Sequence, residues 1–229
     1  MLFYNQLKNK SFRLVGNLLS KKPNPNSFFV STIFIAICVF VSLLSWKSQG
    51  VMKALSASKY TTIQEYKLWQ LFTTIFVHGD AQHLISNGFM LFILVYFVYG
   101  YYGWKVFPFY ALIAASITNF LSLLTYEPQT RLIGASGLVY LLAGFWLVMY
   151  FIIERNKNLI KRIIRVLGVG MVILFPSTFD HQVSYRTHLI GLIIGILYAI
   201  IYYFLNRKDL HKFDVYVEEE IESPPITWH

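Results

Sequence analysis

The sequence predicts an all-α, polytopic membrane protein with six transmembrane helices. Three observations support this fold class: the composition is apolar, the apolar residues come in long uncharged blocks, and the basic residues are unevenly distributed around those blocks. Of the 229 residues, 56% are hydrophobic and only 14% are charged, whereas a soluble domain needs roughly a quarter charged residues to cover its surface. We therefore expect lipid to be the main solvent of this chain.

Six apolar blocks follow one another along the chain. The first runs from Ser27 to Ser45, nineteen residues without a charge, close to what a hydrocarbon core of about 30 Å requires. This block is too long for a signal-peptide core and lacks a small-residue cleavage site after it, so we expect a retained helix. The other blocks lie at about Leu84–Tyr99, Val106–Leu124, Gly137–Ile153, Ile163–Phe175 and Leu189–Leu205. The block at Ile163–Phe175 is short and contains Arg165 and two glycines.

Basic residues are concentrated on one side of this six-span arrangement. With the N-terminus placed inside, fourteen of the 20 Lys and Arg residues fall in inner segments and six in outer loops. This is the positive-inside pattern, and it places both termini in the cytoplasm, with the plasma (inner) membrane as the expected location. A nucleic-acid binder would instead gather its charge on one soluble face, so the net charge of +9 does not indicate nucleic acid.

The chain divides into three parts. Residues 1–26 form a basic cytoplasmic N-terminal segment, residues 27–206 the six-helix membrane domain, and residues 207–229 a cytoplasmic acidic tail. The tail contains Pro224 and Pro225 after a run of glutamates, a composition typical of a disordered extension. Docking of a partner on this tail stays open as an alternative.

The long loop between the first two spans contains aromatic residues at helical spacing. Trp69, Phe72 and Phe76 recur at intervals of three and four residues. The pattern predicts a helix lying in the membrane interface, where Trp is enriched. It equally fits aromatic packing against the bundle, and the two interpretations are compatible.

Carboxylates are confined to loops, tails and span ends. None of the eleven Asp and Glu residues falls in the middle of an apolar block. An intramembrane aspartyl protease needs two such groups, and proton-coupled transporters usually carry at least one. The distribution therefore argues against both classes, and no internal repeat supports an inverted-repeat transporter.

A serine and two histidines fall at one depth of the predicted bundle. Each even-numbered span that follows an outer loop begins on the outer side, so His83, Ser136 and His188 share the outer level. Taken singly, each has a structural explanation: a serine between glycines is commonly a packing residue, and a histidine at a span end is commonly an interface residue. Their conjunction at one depth indicates a functional site.

The spacing of the histidines argues against a zinc site. His83 and Asn87 are four residues apart and so lie on one helical face, whereas His78 falls in the preceding loop. A metalloprotease of this kind needs two histidines four apart with a glutamate between them. This stretch offers neither.

Small residues surround the candidate serine. Gly134 and Gly137 flank Ser136, which lets a backbone N–H and a substrate approach the hydroxyl closely. Tyr140 lies one helical turn farther on the same face.

Small residues also follow the candidate histidine. Gly191 and Gly195 form a G-x-x-x-G pattern after His188, which permits tight contact between membrane helices. Such contact would bring the histidine close to a neighbouring helix.

Together these motifs resemble the rhomboid family of intramembrane serine proteases. The resemblance covers most of residues 28–205 and rests on H-x4-H-x3-N in the second span, G-x-S-G before the fourth, and H-x2-G-x3-G in the sixth. The residues are His78, His83 and Asn87; Gly134, Ser136 and Gly137; and His188, Gly191 and Gly195. A soluble hydrolase elbow would read G-x-S-x-G after a strand, and no strand pattern precedes Ser136.

The resemblance implies a serine endopeptidase with a Ser–His dyad and no third acidic member. Ser136 would be the nucleophile and His188 the general base. Tyr140 matches the position that stacks on the histidine, and His83 and Asn87 match the residues that stabilise the oxyanion. Substrates would be single-span membrane proteins cut in or near the bilayer, with no metal or other cofactor.

The sequence departs from the family pattern at a few positions. Trp69-Gln70 stands where many members have Trp-Arg, Thr187 where alanine often precedes the histidine, and Tyr101-Tyr102 where a glutamate is often found. None of these touches the dyad. The alternatives are a catalytically silent rhomboid-like protein that binds membrane helices, and a transporter or channel.

Overall fold

The computed structural model describes residues 10–174 and 185–220, which form a helical bundle with two small antiparallel sheets. The helices are α1 (Ser27–Lys47), α2 (Gln49–Leu55), α3 (Gln70–Thr73), α4 (Ala81–Trp104), α5 (Ala111–Leu124), α6 (Ser136–Ile153), α7 (Leu159–Leu174) and α8 (Tyr185–His211). The strands are β1 (Lys10–Gly16), β2 (Ala57–Ser58), β3 (Arg131–Leu132) and β4 (Val215–Glu220).

Four segments of the described chain are long and apolar enough to cross a membrane: Ser27–Lys47, Ala81–Leu124, Ser136–Ile153 and Tyr185–His211. The second has 44 residues and as one straight helix would be about 66 Å long, twice a hydrocarbon core of about 30 Å. It is broken between α4 and α5, where Gly103 has a φ of 77° and Phe107 has extended backbone angles. This break separates the second and third apolar blocks of the sequence.

Helix α6 lies at the centre of the bundle. Its side chains are buried all round, including Leu138, Leu141, Phe145 and Met149, as expected of a helix that is apolar on every face. The helix packs against α4, α5, α7 and α8. Any residue near either end of α6 is therefore held on several sides.

The G-x-x-x-G face of α8 packs directly on the α6 backbone. A methyl group at Gly191 would lie 2.5 Å from the carbonyl oxygen of Gly137, and one at Gly195 would overlap the carbonyl of Leu141. In return, a methyl group at Gly144 would lie 2.6 Å from the Leu192 carbonyl. The predicted tight contact is thus confirmed, and the first turns of α6 and α8 lie side by side.

Helices α1 and α4 form a second pair. The face of α1 that is buried carries mostly small residues, as is usual where membrane helices approach closely. These residues are Ser27, Ser31, Phe34, Cys38, Ser42 and Ser45.

The acidic tail is not a wholly disordered extension, and this corrects the prediction for residues 207–220. Helix α8 continues to His211, and β4 pairs antiparallel with β1 at the start of the chain. Arg13 and Glu219 form an ion pair at 3.0 Å across the sheet. Asp214, just before β4, forms a second ion pair with Arg155 at 2.6 Å. Opposite charges therefore attach the segment after α8 both to β1 and to the residues that follow α6. Residues 1–9 and 221–229 lie outside the described residues.

The first long loop combines both interpretations of its aromatic residues. A helical stretch over α3 and the following turn at Thr74–Phe76 leaves Trp69 and Phe72 exposed and buries Phe76. Two aromatic rings thus face outward, as an interfacial helix requires, while the third packs in the core. The loop also contributes β2, which pairs with β3 four residues before Ser136, a strand too short to leave a pattern in the sequence.

The fifth apolar block forms α7, which begins four residues earlier than predicted, at Leu159. The Asn158 side chain accepts a hydrogen bond from the Lys161 N–H at 2.9 Å and thereby caps the helix. Lys161 and Arg162 therefore belong to the first turn of the helix, although they are charged and interrupt the apolar run. Phe175, the predicted end of the block, lies outside the described residues.

Candidate active site

Ser136 is the first residue of α6 and is half-buried. The loop before it turns at Gly134, whose φ of 104° is a conformation that favours glycine. The Gly134 N–H donates to the Thr74 carbonyl at 3.1 Å, and the Thr74 hydroxyl donates to the Leu132 carbonyl. Thr74 in the first long loop therefore holds the chain at Leu132 and at Gly134, just before Ser136.

His188 lies in the first turn of α8 and is buried. Its ring stacks on the Tyr140 ring with centroids 4.0 Å apart and planes 12° apart. Its neighbour Thr187 is also buried, and the Thr187 and Tyr126 hydroxyls are 3.1 Å apart. The imidazole is thus oriented by an aromatic face on α6.

A close contact between α6 and α8 lies next to Ser136 and His188. Gly137, one residue after the serine, faces Gly191, one turn after the histidine. A methyl group at Gly137 would lie 3.1 Å from the Thr187 Cγ2. This contact admits only small residues, so the first turn of α6, which begins at Ser136, lies beside the first turn of α8, which carries His188.

His83 and Asn87 reach the same place from α4. A methyl group at Gly134 would lie 2.7 Å from the His83 Nε2 and 3.5 Å from the Asn87 Nδ2. In the part of the chain that the structure describes, the Asn87 Nδ2 is buried with no hydrogen-bond partner. A buried donor without a partner is costly, and here it lies beside the loop that leads into Ser136.

His78 supports this loop in a way that the sequence did not predict. Its Nε2 accepts the Ala135 N–H at 3.4 Å and its Nδ1 lies 3.1 Å from the Ser42 hydroxyl. Since Nε2 accepts, Nδ1 carries the proton in the neutral ring and donates to Ser42, whose own hydroxyl donates to the Phe76 carbonyl at 3.2 Å. Burial, and secondarily the nearby His83, lower the pKa of His78 to about 3, which keeps the ring neutral at physiological pH.

Gln70 connects several segments of the first long loop through its side-chain amide. It is fully buried, and its Oε1 accepts hydrogen bonds from the Thr61 and Thr62 hydroxyls at 2.6 and 2.8 Å. Its Nε2 donates to the Lys53 and Ala54 carbonyls at 3.2 and 3.3 Å. The neutral amide thus accepts from two hydroxyls and donates to two carbonyls. An arginine has no acceptor atom and could not accept these two hydroxyl hydrogen bonds.

The arrangement offers a hydroxyl, a stacked imidazole and side-chain donors around one loop. Such a set suits acyl transfer, in which a base activates the hydroxyl and donors stabilise an oxyanion. Among the described residues, no group of three His, Cys, Asp or Glu side chains is placed to hold a metal ion.

Comparison with known proteins gives the family. The family model of the rhomboid domain matches residues 65–204, more than half of the chain and all the residues of the site. The chain belongs to the rhomboid family. It is 26% identical over 131 residues to a rhomboid protein of Acanthamoeba polyphaga mimivirus, a match that covers 56% of this chain and 71% of that protein.

Membership of the rhomboid family confirms the fold class at a coarse level. The rhomboid domain is a polytopic helical membrane fold, so the chain is an integral membrane protein, as its apolar helices also indicate. Rhomboid proteins are generally intramembrane serine proteases.

Proposed function

We propose that this rhomboid protein is an intramembrane serine endopeptidase that cleaves single-span membrane proteins through Ser136 and His188. The observation that carries the proposal is the parallel stack of His188 on Tyr140, beside the close contact of Gly137 with Gly191 between α6 and α8. Ser136 begins α6 one turn before Tyr140. A histidine held in this way by its ring face needs no carboxylate to orient it.

In the proposed reaction, the Ser136 hydroxyl attacks the scissile carbonyl while His188 accepts its proton. His188 then protonates the leaving amine, and an acyl-enzyme ester on Ser136 remains. A water molecule, deprotonated by His188, attacks this ester and releases the second product. The proton taken from water returns to Ser136, so both catalytic groups are regenerated.

The oxyanion formed in each step would be bound by His83, Asn87 and the backbone N–H of Ser136. The unpartnered Asn87 Nδ2 supports this role, since a donor kept free of protein acceptors is available to a developing charge. Its burial strengthens the interaction because the local dielectric is low.

The proposal is tested with purified protein and a generic single-span substrate. The native chain should cleave the substrate and be labelled by a fluorophosphonate, and Ser136→Ala should do neither. Ser116→Ala is the matched control, because Ser116 is also a half-buried hydroxyl in an apolar helix and donates to the Leu112 carbonyl of its own helix at 3.0 Å. Robust cleavage by Ser136→Ala would end the serine-protease proposal, whereas substrate binding without cleavage by the native chain would favour a silent helix-binding protein.

Asn87→Ala is expected to slow cleavage about 100-fold, since removal of one oxyanion donor typically costs 10²–10³ in kcat. His83→Ala should also slow it markedly. Neither change should lower the unfolding temperature much, because each removes a donor rather than core volume. Asn206→Ala is the control, an amide in α8 that bonds the Tyr202 carbonyl at 2.9 Å. Native rates in both Asn87→Ala and His83→Ala would exclude these residues from oxyanion binding.

For the membrane topology, we propose six crossings by α1, α4, α5, α6, α7 and α8, with both termini in the cytoplasm and the plasma (inner) membrane as the location. The sequence contains one cysteine, Cys38, so a Cys38→Ala background leaves no reactive thiol. Lys22→Cys and Lys208→Cys should react with a membrane-impermeant maleimide only after the cells are opened, and Leu68→Cys should react in intact cells. Labelling of Lys208→Cys in intact cells would contradict the proposed orientation.

A further inference from the structure

An apolar cleft of about 540 Å³ opens between α6, α7 and α8. Its volume falls within the range of roughly 300–1,000 Å³ typical of small-ligand sites. The cleft is lined by Gly144, Leu147, Phe151, Val166, Gly170 and Leu192, among others. Gly170 helps to create the space, because a methyl group there would be only in ordinary contact with Leu147 at 3.6 Å.

The Phe151 end of the cleft is distant from the candidate active site, whereas its other end at Leu192 lies one turn of α8 beyond His188. Phe151 lies fifteen residues after Ser136 on α6, which corresponds to about 22 Å along the helix axis. None of the residues that line the cleft belongs to the serine, histidine or oxyanion positions. The catalytic proposal therefore leaves this space without a role.

Two arginines stand at the Phe151 end of the cleft. Arg162 precedes Val166 by one turn on the cleft-lining face of α7, donates to the Phe151 carbonyl and lies 4.5 Å over the Phe151 ring. Its Nε is buried with no hydrogen-bond partner among the described residues. Arg165 lies on the next turn and donates to the Tyr150 hydroxyl at 3.2 Å.

Glu154, the acid that acts electrostatically on Arg165, is already paired with another basic residue. Within the described residues, neither Arg162 nor Arg165 takes part in an ion pair. The carboxylate of Glu154 is paired with Lys157 at 3.1 Å, and Asp214 with Arg155 at 2.6 Å. The Arg162 Nε is buried without a partner among the described residues, and an anionic group would satisfy it. The adjacent cleft is apolar, so a ligand that fits both features has an anionic group attached to an apolar chain.

We propose that the cleft binds an acyl chain of an anionic phospholipid whose phosphate contacts Arg162 and Arg165. The apolar lining offers nothing to a free phosphate, and a zwitterionic headgroup would leave the net charge of the arginines unbalanced. A substrate helix has a diameter of about 10 Å. The cleft owes its space to the absence of side chains at Gly144 and Gly170 and is too narrow for such a helix. Anionic phospholipids are found in the cytoplasmic leaflet, where the proposed topology puts this end of α7. Guanidinium groups recognise phosphate through paired hydrogen bonds.

The headgroup contact is tested by native mass spectrometry in detergent with added phosphatidylglycerol or phosphatidylcholine of identical acyl chains. The Ser136→Ala form is used throughout, so the result does not depend on proteolysis. We expect one phosphatidylglycerol to be retained, and Arg162→Gln/Arg165→Gln to bind it about tenfold more weakly. Arg207→Gln/Lys208→Gln, which removes two exposed cations from the end of α8, should bind as the native chain does.

The acyl-chain contact is tested with glycine variants that leave the charge unchanged. Gly170→Leu should fill the cleft and reduce retention of phosphatidylglycerol about tenfold. Gly168→Leu is the control on the same helix: a side chain there extends into open space, so lipid retention should stay at the native level. Equal retention of the two lipids, or native binding by both the double glutamine variant and Gly170→Leu, would overturn the proposal. Loss of self-association in Gly170→Leu with lipid retained would assign the cleft to a second copy of the chain and would equally overturn it.

Discussion

Ser136→Ala, His188→Ala and the double variant are expected to be equally inactive, each with a cleavage rate at least about 10⁴-fold below that of the native chain. Groups that act in one proton transfer fail together, because the hydroxyl is a weak nucleophile without its base and the base has no role without the hydroxyl. The measurement is the initial rate of cleavage of a single-span substrate. Fluorophosphonate labelling of His188→Ala should be weak for the same reason.

Tyr140 provides the control for this unit. Tyr140→Phe keeps the ring that stacks on His188 at 4.0 Å, and we expect it to retain most of the cleavage rate. Tyr140→Ala removes the stacking face and should lower kcat more than it changes KM, because it misorients the base rather than weakening substrate binding. If the fold-reduction in cleavage rate of the double Ser136/His188 variant equals the product of the two single fold-reductions, the two residues act independently. The proposed dyad would then be wrong.

Gly195→Ala is expected to be among the most destabilising small substitutions in the bundle. Its new methyl group would overlap the Leu141 carbonyl, and the backbone of α6 cannot yield because it is packed on several sides. Overpacking of this kind costs roughly 1–3 kcal/mol, and we expect the apparent unfolding temperature in detergent to fall accordingly. Activity should fall as well, since α8 carries His188.

Gly168→Ala is the matched control for this change. No heavy atom lies within 4 Å of a methyl group at Gly168, and alanine is favoured over glycine inside a helix by about 1 kcal/mol. This variant should be as stable as the native chain or slightly more so. An equal fall in unfolding temperature for both variants would mean that the α6–α8 contact does not limit stability.

The membrane helices were predictable because lipid imposes a simple rule on the sequence. Backbone polar groups must be satisfied within each helix, and the side chains around them must be apolar, so α1 and α6 begin within one residue of their apolar blocks. Helix α7 was predicted less well because its first turn is charged: Lys161 and Arg162 belong to the helix but interrupt the apolar run.

Contacts between distant parts of the chain were not predictable from local patterns. The pairing of Arg13 with Glu219 joins residues at opposite ends of the sequence, and a run of glutamates alone resembles a solvated tail. In the candidate site, motif spacing indicated Ser136 and His188, but the support of Ala135 by His78 depends on Ser42 in another helix. Such a role follows from three-dimensional proximity and leaves no local signal.

The pairing of β1 with β4 sets a parity condition on the path of the chain. Two strands that hydrogen-bond to each other must lie on one side of the bilayer, so the polypeptide between them crosses it an even number of times. If α1, α4, α5, α6 and α8 each cross, their number is odd, and α7 must cross as well. Among these helices of the described chain, α7 is the one that lies outside the four segments long and apolar enough to cross a membrane. The strongest argument for its crossing therefore comes from the pairing of two short strands at opposite ends of the chain.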